Sequence, residues 1–162
     1  MDAAVVNRAG TPVRVVQYES RHRDAFRDLN VAWISRYFAI EDADLKVLND
    51  PERAILAPGG AILMAEMANE PVGTVALIRV APDGFELAKM AVTPSAQGHG
   101  IGALLGQAAI GRARQLGARW IELLSNTSLA PALHLYHKLG FVEAPLGSTD
   151  YRRADIRMVL TL

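Results

Sequence analysis

Apolar residues in the middle of the chain fall into three runs, Ala61 to Met67, Pro71 to Val80 and Glu86 to Val92. The residues Asn69-Glu70 and Pro82-Asp83-Gly84 separate them. Short apolar runs bounded by turn residues read as strands, and tight turns between them make an antiparallel meander. Val13 to Tyr18, rich in β-branched residues, reads as an earlier strand. From Ser20, the expected N-cap, to Phe38, the positions Phe26, Leu29, Ala32 or Trp33, and Tyr37 recur at helical spacing. Glu41 to Leu48 reads as a shorter helix with Leu45 and Leu48 inward, ended by Asp50-Pro51. A long helix runs from Ile101 to Leu116 and closes at Gly117. Gly106 and Gly111 inside it each cost about 1 kcal/mol relative to alanine, which implies close packing on the sheet. Ala118 to Leu124 is a strand, Ala130 to Leu139 a helix ending at Gly140, and Phe141 and Ile156 open the last two strands. The order β-α-α-β-β-β-α-β-α-β-β is an α/β chain with a central mixed sheet flanked by helices. It is not a doubly wound parallel sheet.

The stretch from Glu86 to Gly106 joins a strand, a glycine-rich loop and a helix start. Gly98, Gly100 and Gly102 stand at every second position, and the helical spacing begins at Ile101. The first N–H groups of a helix have no partner within it, and glycines leave them open to a ligand. This arrangement suits phosphate. A dinucleotide-binding unit would use similar glycines with an acidic residue about 20 positions later, and Glu122 lies near that distance. Against that reading, the loop between Val92 and Gly98 contains Pro94 and is long for the tight turn such a unit needs.

Composition narrows the picture. In 162 residues one domain is expected, over 13–162, preceded by a flexible tail over 1–12. Lys and Arg number 17 and so do Asp and Glu, so no charge excess favours nucleic acid or an anionic membrane. The chain has no cysteine, which excludes disulfides and a cysteine nucleophile and fits a cytoplasmic protein. No apolar run reaches the length of a membrane span, and the N-terminus lacks a signal-peptide pattern. His134 and His137 stand three apart on a helix, but no carboxylate or cysteine completes a set with them, with His22 or with His99. No metal is expected. Glu41, Asp42, Asp44, Asp50 and Glu52 crowd one region. They read either as a solvated helix face or as an entrance attracting a cationic amine.

Gln97-Gly98-His99-Gly100-Ile101-Gly102 resembles motif A of the GNAT superfamily of N-acetyltransferases, and Ala132 to Phe141 resembles its motif B, A-x-x-LY-x-K-x-GF. The segments Phe26 to Pro51 and Leu124 to Asn126 are similar to the acetyltransferase halves of MarR-type fusion proteins, although no DNA-binding domain is expected within this chain. The resemblance implies the acyl-CoA N-acyltransferase fold and acetyl-CoA as co-substrate. The pyrophosphate would lie on Gln97, Gly98, His99, Gly100, Ile101, Gly102 and Ala103. The backbone of Met90, Ala91 and Val92 would polarise the thioester carbonyl, an oxyanion-hole device. Tyr136 would protonate the departing thiolate. Glu86 is the candidate general base. It lies an even number of residues before Val92, so both are expected on one face of the strand. Where many members carry a pantetheine-binding asparagine this chain has Leu129, and Asn126 is the candidate substitute, or a helix cap.

These residues lead to an N-acetyltransferase moving acetyl directly to a primary amine of a small molecule, or less readily of a peptide or protein. The alternative is a non-catalytic CoA-binding or partner-regulating module. It would keep the glycine loop without needing Glu86 and Tyr136. The resemblance also implies a homodimer. Asp150-Tyr151-Arg152-Arg153 reads as either a surface turn or an acceptor contact. An acidic entrance would suit polyamines, aminoglycosides, lysine side chains or protein N-termini, whereas an arginine-lined pocket would suit amino acids.

Overall fold

The computed structural model describes the backbone of residues 4–6 and the whole of residues 10–162. Strands β1 (Ala4–Val6) and β2 (Pro12–Gln17) lead into α1 (Arg23–Tyr37) and α2 (Asp42–Leu48). The meander β3 (Ala61–Met67), β4 (Glu70–Ala81) and β5 (Gly84–Val92) follows. Then come α3 (Ile101–Gln115), β6 (Trp120–Ser125), α4 (Ala130–Leu139), β7 (Val142–Ala144) and β8 (Ile156–Thr161). The strands form one sheet in the order β1-β2-β3-β4-β5-β6-β8-β7. Its pairs are antiparallel except β5 with β6. The mixed sheet and the element order agree with the sequence reading. Ala4–Val6 differs: these residues pair with β2 as an edge strand, where a loose tail is expected. The rest of that tail before Gly10 lies outside the described residues.

Helices cover both faces of the sheet. On one, α3 packs Leu104, Leu105, Ala109 and Ala113 against Phe85, Leu87 and Ile121, with Tyr136 and Leu139 of α4 alongside. On the other, Phe26, Ile34, Leu48 and Ile55 pack against Ile62, Met64 and Ala76. The buried stripe of α1 is Phe26, Asn30 and Ile34, and Tyr37 is exposed. The fully buried line thus runs through Asn30 and Ile34, while the expected Leu29 and Trp33 flank it, partly buried against the same core. Glu19 rather than Ser20 sits at the cap, its N–H donating to Nδ1 of His22 at 2.9 Å. In α2, Leu48 is buried but Leu45 is exposed, and Asp44 takes the inward place. The hairpin between β3 and β4 turns at Ala68 and Asn69, both with positive φ, one residue earlier than read. Gly106 makes room for α4 rather than for the sheet, since a Cβ there would stand 2.6 Å from Leu139 Cδ1.

Two irregularities of β5 position the site. First, β5 pairs with β6 only from Gly84 to Glu86, opposite Trp120 to Glu122; beyond that β6 continues with β8 and the strands part. Second, Ala76 faces Ala88 while Thr74 faces Ala91, so β5 carries one more residue than β4 over this interval. This is a β-bulge, and Lys89 within it has φ 54°. The extra residue reverses the alternation. Met90 and Val92 pack on the same core as Phe85 and Leu87, leaving Glu86 on the opposite face. The expectation that Glu86 and Val92 share a face is corrected by the bulge. Among the described residues no helix is long and apolar enough to cross a membrane.

Gly60 closes the turn into β3, and a Cβ there would lie 2.2 Å from the Leu77 carbonyl oxygen and 2.6 Å from that of Ile55. Backbone cannot rotate away, so Gly60→Ala should lower stability by about 1–3 kcal/mol in urea denaturation.

Candidate active site

A groove of about 520 Å³ opens between the parted strands and the N-terminus of α3. Met90, Ala91, Val92, Gln97, Gly98, Gly100, Ile101 and Gly102 line it, so most residues of the glycine motif meet on one wall. Gly98 and Gly100 have φ of 82° and 79°, a left-handed conformation that β-carbons disfavour, and open space surrounds the Cβ position of each. The glycines therefore serve the backbone turn rather than packing. Gly100 caps α3, leaving the N–H groups of Ile101, Gly102 and Ala103 without helical partners. Gln97 donates from Nε2 to the Val92 carbonyl at 3.0 Å and so braces the loop. The side chains of His99 and Ala103 do not line the groove.

A second, smaller pocket of about 100 Å³ lies deeper, on the α1 side of β5. The two spaces share Trp33, Met90, Leu129 and Tyr136 in their walls. Tyr136 therefore stands where groove and pocket meet. Its ring packs edge-on to Phe141, with centroids 6.3 Å apart, and burial pushes its phenol up to about 12. At neutral pH it holds its proton and can only donate it. Glu86 lines the inner pocket and makes no hydrogen bond or ion pair among the described residues. Burial, followed by the charge of Glu122 opposite it in the sheet, pushes its carboxyl up to about 7. A carboxyl at that value exchanges a proton readily near neutrality. Asn126 reaches the inner pocket, not the groove. Its Nδ2 donates to the Arg153 carbonyl at 2.7 Å and its Oδ1 accepts from the Ser128 N–H at 2.9 Å.

The floor of the inner pocket is a buried ion network that the sequence does not reveal. Lys89, carried inward by the bulge, donates to Asp44 Oδ1 at 2.7 Å and to the Tyr151 hydroxyl at 3.1 Å. Arg153 donates to both oxygens of Asp44, at 2.7 and 2.6 Å, and to Glu41 at 3.1 Å. Asp44 is fully buried. Burial alone would raise its carboxyl, but the hydrogen bonds from Arg153 and Lys89 prevail and bring it down to about 2. The acidic region is thus divided: Asp42 stays exposed and, with Glu41 and Asp150, lines an open pocket of about 670 Å³ that shares Phe38 and Arg153 with the inner one, whereas Glu41, Asp44, Asp50 and Glu52 have partners within the fold. Glu41 and Asp44 face the two cations, Glu52 accepts from Tyr18 at 2.5 Å and pairs with Arg23, and Asp50 accepts from the Arg53 N–H. Of the segment 150–153, Tyr151 and Arg153 line the inner pocket. Asn30 of α1 also lines it, a position outside the apolar stripe expected for that helix.

A family model described as an acetyltransferase (GNAT) domain matches residues 58–143. The chain belongs to the GNAT acetyltransferase family. It is 35% identical over 101 residues to the uncharacterized N-acetyltransferase YvbK of Bacillus subtilis, an alignment covering 60% of this chain and 65% of that protein. The matched part thus spans less than two thirds of that relative. Among solved structures, a GNAT-family acetyltransferase of Staphylococcus aureus superposes with a TM-score of 0.82 at 20% identity, covering 92% of this chain and 98% of that one. A Bacillus subtilis acetyltransferase in complex with CoA superposes with a TM-score of 0.71 at 24% identity, covering 93% and 99%. These superpositions show the GNAT fold. The GNAT match takes in β3 to β7 and the glycine loop, whereas Asn30, Trp33, Asp44, Tyr151 and Arg153 lie outside it.

Removing one member of a buried ion network leaves the others uncompensated. Asp44→Ala should cost about 3–5 kcal/mol of stability in urea at neutral pH. Because the folded carboxyl is depressed, its contribution is present above the ordinary aspartate value and is lost as pH falls from about 4 toward 2. The stability of Asp44→Asn should be flatter over that interval than that of the unaltered protein.

Proposed function

We propose that the protein is an acetyl-CoA-dependent N-acetyltransferase that transfers acetyl directly to a primary amine, with no acyl-enzyme. The observation that carries this reading is the meeting of groove and inner pocket at Tyr136 and Met90, with Glu86 on the far side. A thioester held in the groove and an amine held in the pocket would approach each other there. Acetyl-CoA supplies the activated acetyl group. The chain fits it through the free N–H groups at the start of α3, the two left-handed glycines and the strand edge of β5 without a neighbour beyond Glu86.

The residues then divide the work. The α3 N-terminus and the loop 97–102 bind the pyrophosphate by backbone donors and helix dipole. The β5 backbone at Met90 to Val92 donates toward the thioester carbonyl, where negative charge develops. Glu86 takes a proton from the ammonium, directly or through water, so that nitrogen carries a lone pair into the attack. Tyr136 gives its proton to the sulfur as the C–S bond breaks. Asn126 positions the Arg153 loop by donating to the Arg153 carbonyl, while its Oδ1 accepts from Ser128 within its own turn, and it faces the inner pocket rather than the pantetheine groove. The likeness to the acetyltransferase halves of MarR-type fusions concerns residues 26–51 and 124–126, which wall the acceptor side. A cytoplasmic homodimer completes the proposal.

Calorimetry with acetyl-CoA should show binding that Gly100→Asp abolishes, since an acidic side chain would face the pyrophosphate; no binding by the unaltered protein would end this reading. With a turned-over amine, Tyr136→Phe should lower kcat by about 10²–10⁴-fold with the KM for acetyl-CoA nearly unchanged. Unchanged turnover would remove Tyr136 from the acid role. The rate should rise with pH through about 7 as Glu86 loses its proton. Glu86→Gln should remove that limb, and a loss of equal size at every pH would make Glu86 a positioning residue instead.

A further inference from the structure

Among the charged and amide groups of the inner pocket the cations are held and the acceptors are open, and the hydroxyls of Ser125 and Tyr136 also line it. Its cations are sealed. Arg153 spends both terminal nitrogens on Asp44 and Glu41, and Lys89 is held by Asp44 and Tyr151. Both cations also stand over the Tyr151 ring, 4.6 and 4.8 Å from its centroid. The two positive charges meet two negative ones at contact distance, so the network offers no net charge to a ligand. Its acceptors are open. Glu86 has no partner, and its neighbour Glu122 is already paired with Arg157 at 2.6 Å. Asn30 is 1% exposed, its Nδ2 is used on the Phe26 carbonyl, and its Oδ1 has no hydrogen bond among the described residues although the residue lines the pocket. Trp33, Ile34, Phe38 and Leu124 supply the apolar remainder of the wall.

We propose that the acceptor is a primary amine on an uncharged apolar body, an alkyl or aralkyl amine with no carboxylate on the carbon that bears the nitrogen. This rests on the acetyltransferase reading above. The donors of an ammonium meet Glu86 and Asn30 Oδ1, and its carbon chain meets the apolar wall. An α-carboxylate would be buried beside Glu86 with no cation free to pair with it, a cost that falls on the transition state as well as on binding. An amide at that position carries no charge and escapes the cost. Within the inner pocket a polyamine's second ammonium would meet apolar walls, because Asp42 and Asp150 line the adjoining pocket and not this one. The lysine and arginine near the pocket therefore select against amino acids, because Asp44 and Glu41 already hold them.

The test uses isopentylamine, leucinamide and leucine, which share one side-chain skeleton, with spermidine beside them, and follows CoA release from acetyl-CoA by the full chain. Isopentylamine and leucinamide should be acetylated, with leucine lower by about 100-fold or more in kcat/KM. In Asp44→Asn, which removes the carboxylate shared by Lys89 and Arg153 and leaves one positive charge of the network uncompensated, leucine should gain at least about 10-fold relative to isopentylamine. A readout without turnover uses the CoA-saturated protein. Isopentylamine should change its tryptophan fluorescence, leucine should not, and Trp33→Leu should abolish the change. Should Asp44→Asn fail to fold, the comparison in the unaltered protein decides alone. Leucine used as well as isopentylamine, turnover of spermidine only, or bound acetyl-CoA with no turnover of any of the four would overturn the inference while leaving the cofactor site standing. Absence of acetyl-CoA binding would instead remove the acetyltransferase reading beneath it.

Discussion

One additional residue in β5 organises the molecule's chemistry. Between Ala88 and Ala91 the strand takes three steps while β4 takes two, and the surplus is absorbed at Lys89 in a left-handed conformation. Such a conformation costs a non-glycine residue about 1–3 kcal/mol. It is held by the ammonium's contacts with Asp44 of α2 and Tyr151 of the last long loop. The bulge turns Met90 and Val92 toward α3 while Glu86 stays on the α1 side. A strand that alternated regularly would have left Met90 and Val92 on the same side as Glu86 instead of turning them toward α3. The parting of β5 from β6 just past Glu86 then opens the space between the two faces.

The two sides of that space are built from different parts of the chain. The cofactor side is local: β5, the loop 93–100 and α3 follow one another, and α4 closes the groove with Leu135 and Tyr136. This is the part that the GNAT family model covers. The inner pocket, the proposed acceptor side, is lined from α1, the end of β6 and the segment 151–154, with Lys89 and Glu86 from β5, and Asp44 of α2 holds Lys89 and Arg153 from behind. The charges of Glu41, Asp44, Lys89 and Arg153 balance among themselves, so that this part of the pocket wall is nearly neutral. Reading formal charge along the sequence gives the opposite impression, because charges that neutralise each other in space lie far apart along the chain.

Local patterns carried most of the fold. Alternation, turn residues and helical spacing place β3, β4, β5, α3 and α4 within a residue or two of their observed ends, since each is determined by neighbours a few positions away. The glycine loop was legible for the same reason, since glycines before a helix are a short-range pattern, whereas Tyr136 was singled out only by the resemblance of Ala132 to Phe141 to a family motif. The sequence could not show that Lys89 sits in a bulge, because a bulge is a mismatch between two strands and exists only in their pairing. Nor could it show that Asp44 is buried and paired, because its partners Lys89 and Arg153 lie 45 and 109 residues away. Asn30 lies off the apolar stripe expected for α1, and only the pocket beside it marks it out. The sequence by itself determined the elements, their order and the cofactor motif. Only the tertiary structure decided which charges are neutralised and which polar atoms face the pocket, because desolvation and ion pairing depend on distances that the chain sets when it folds.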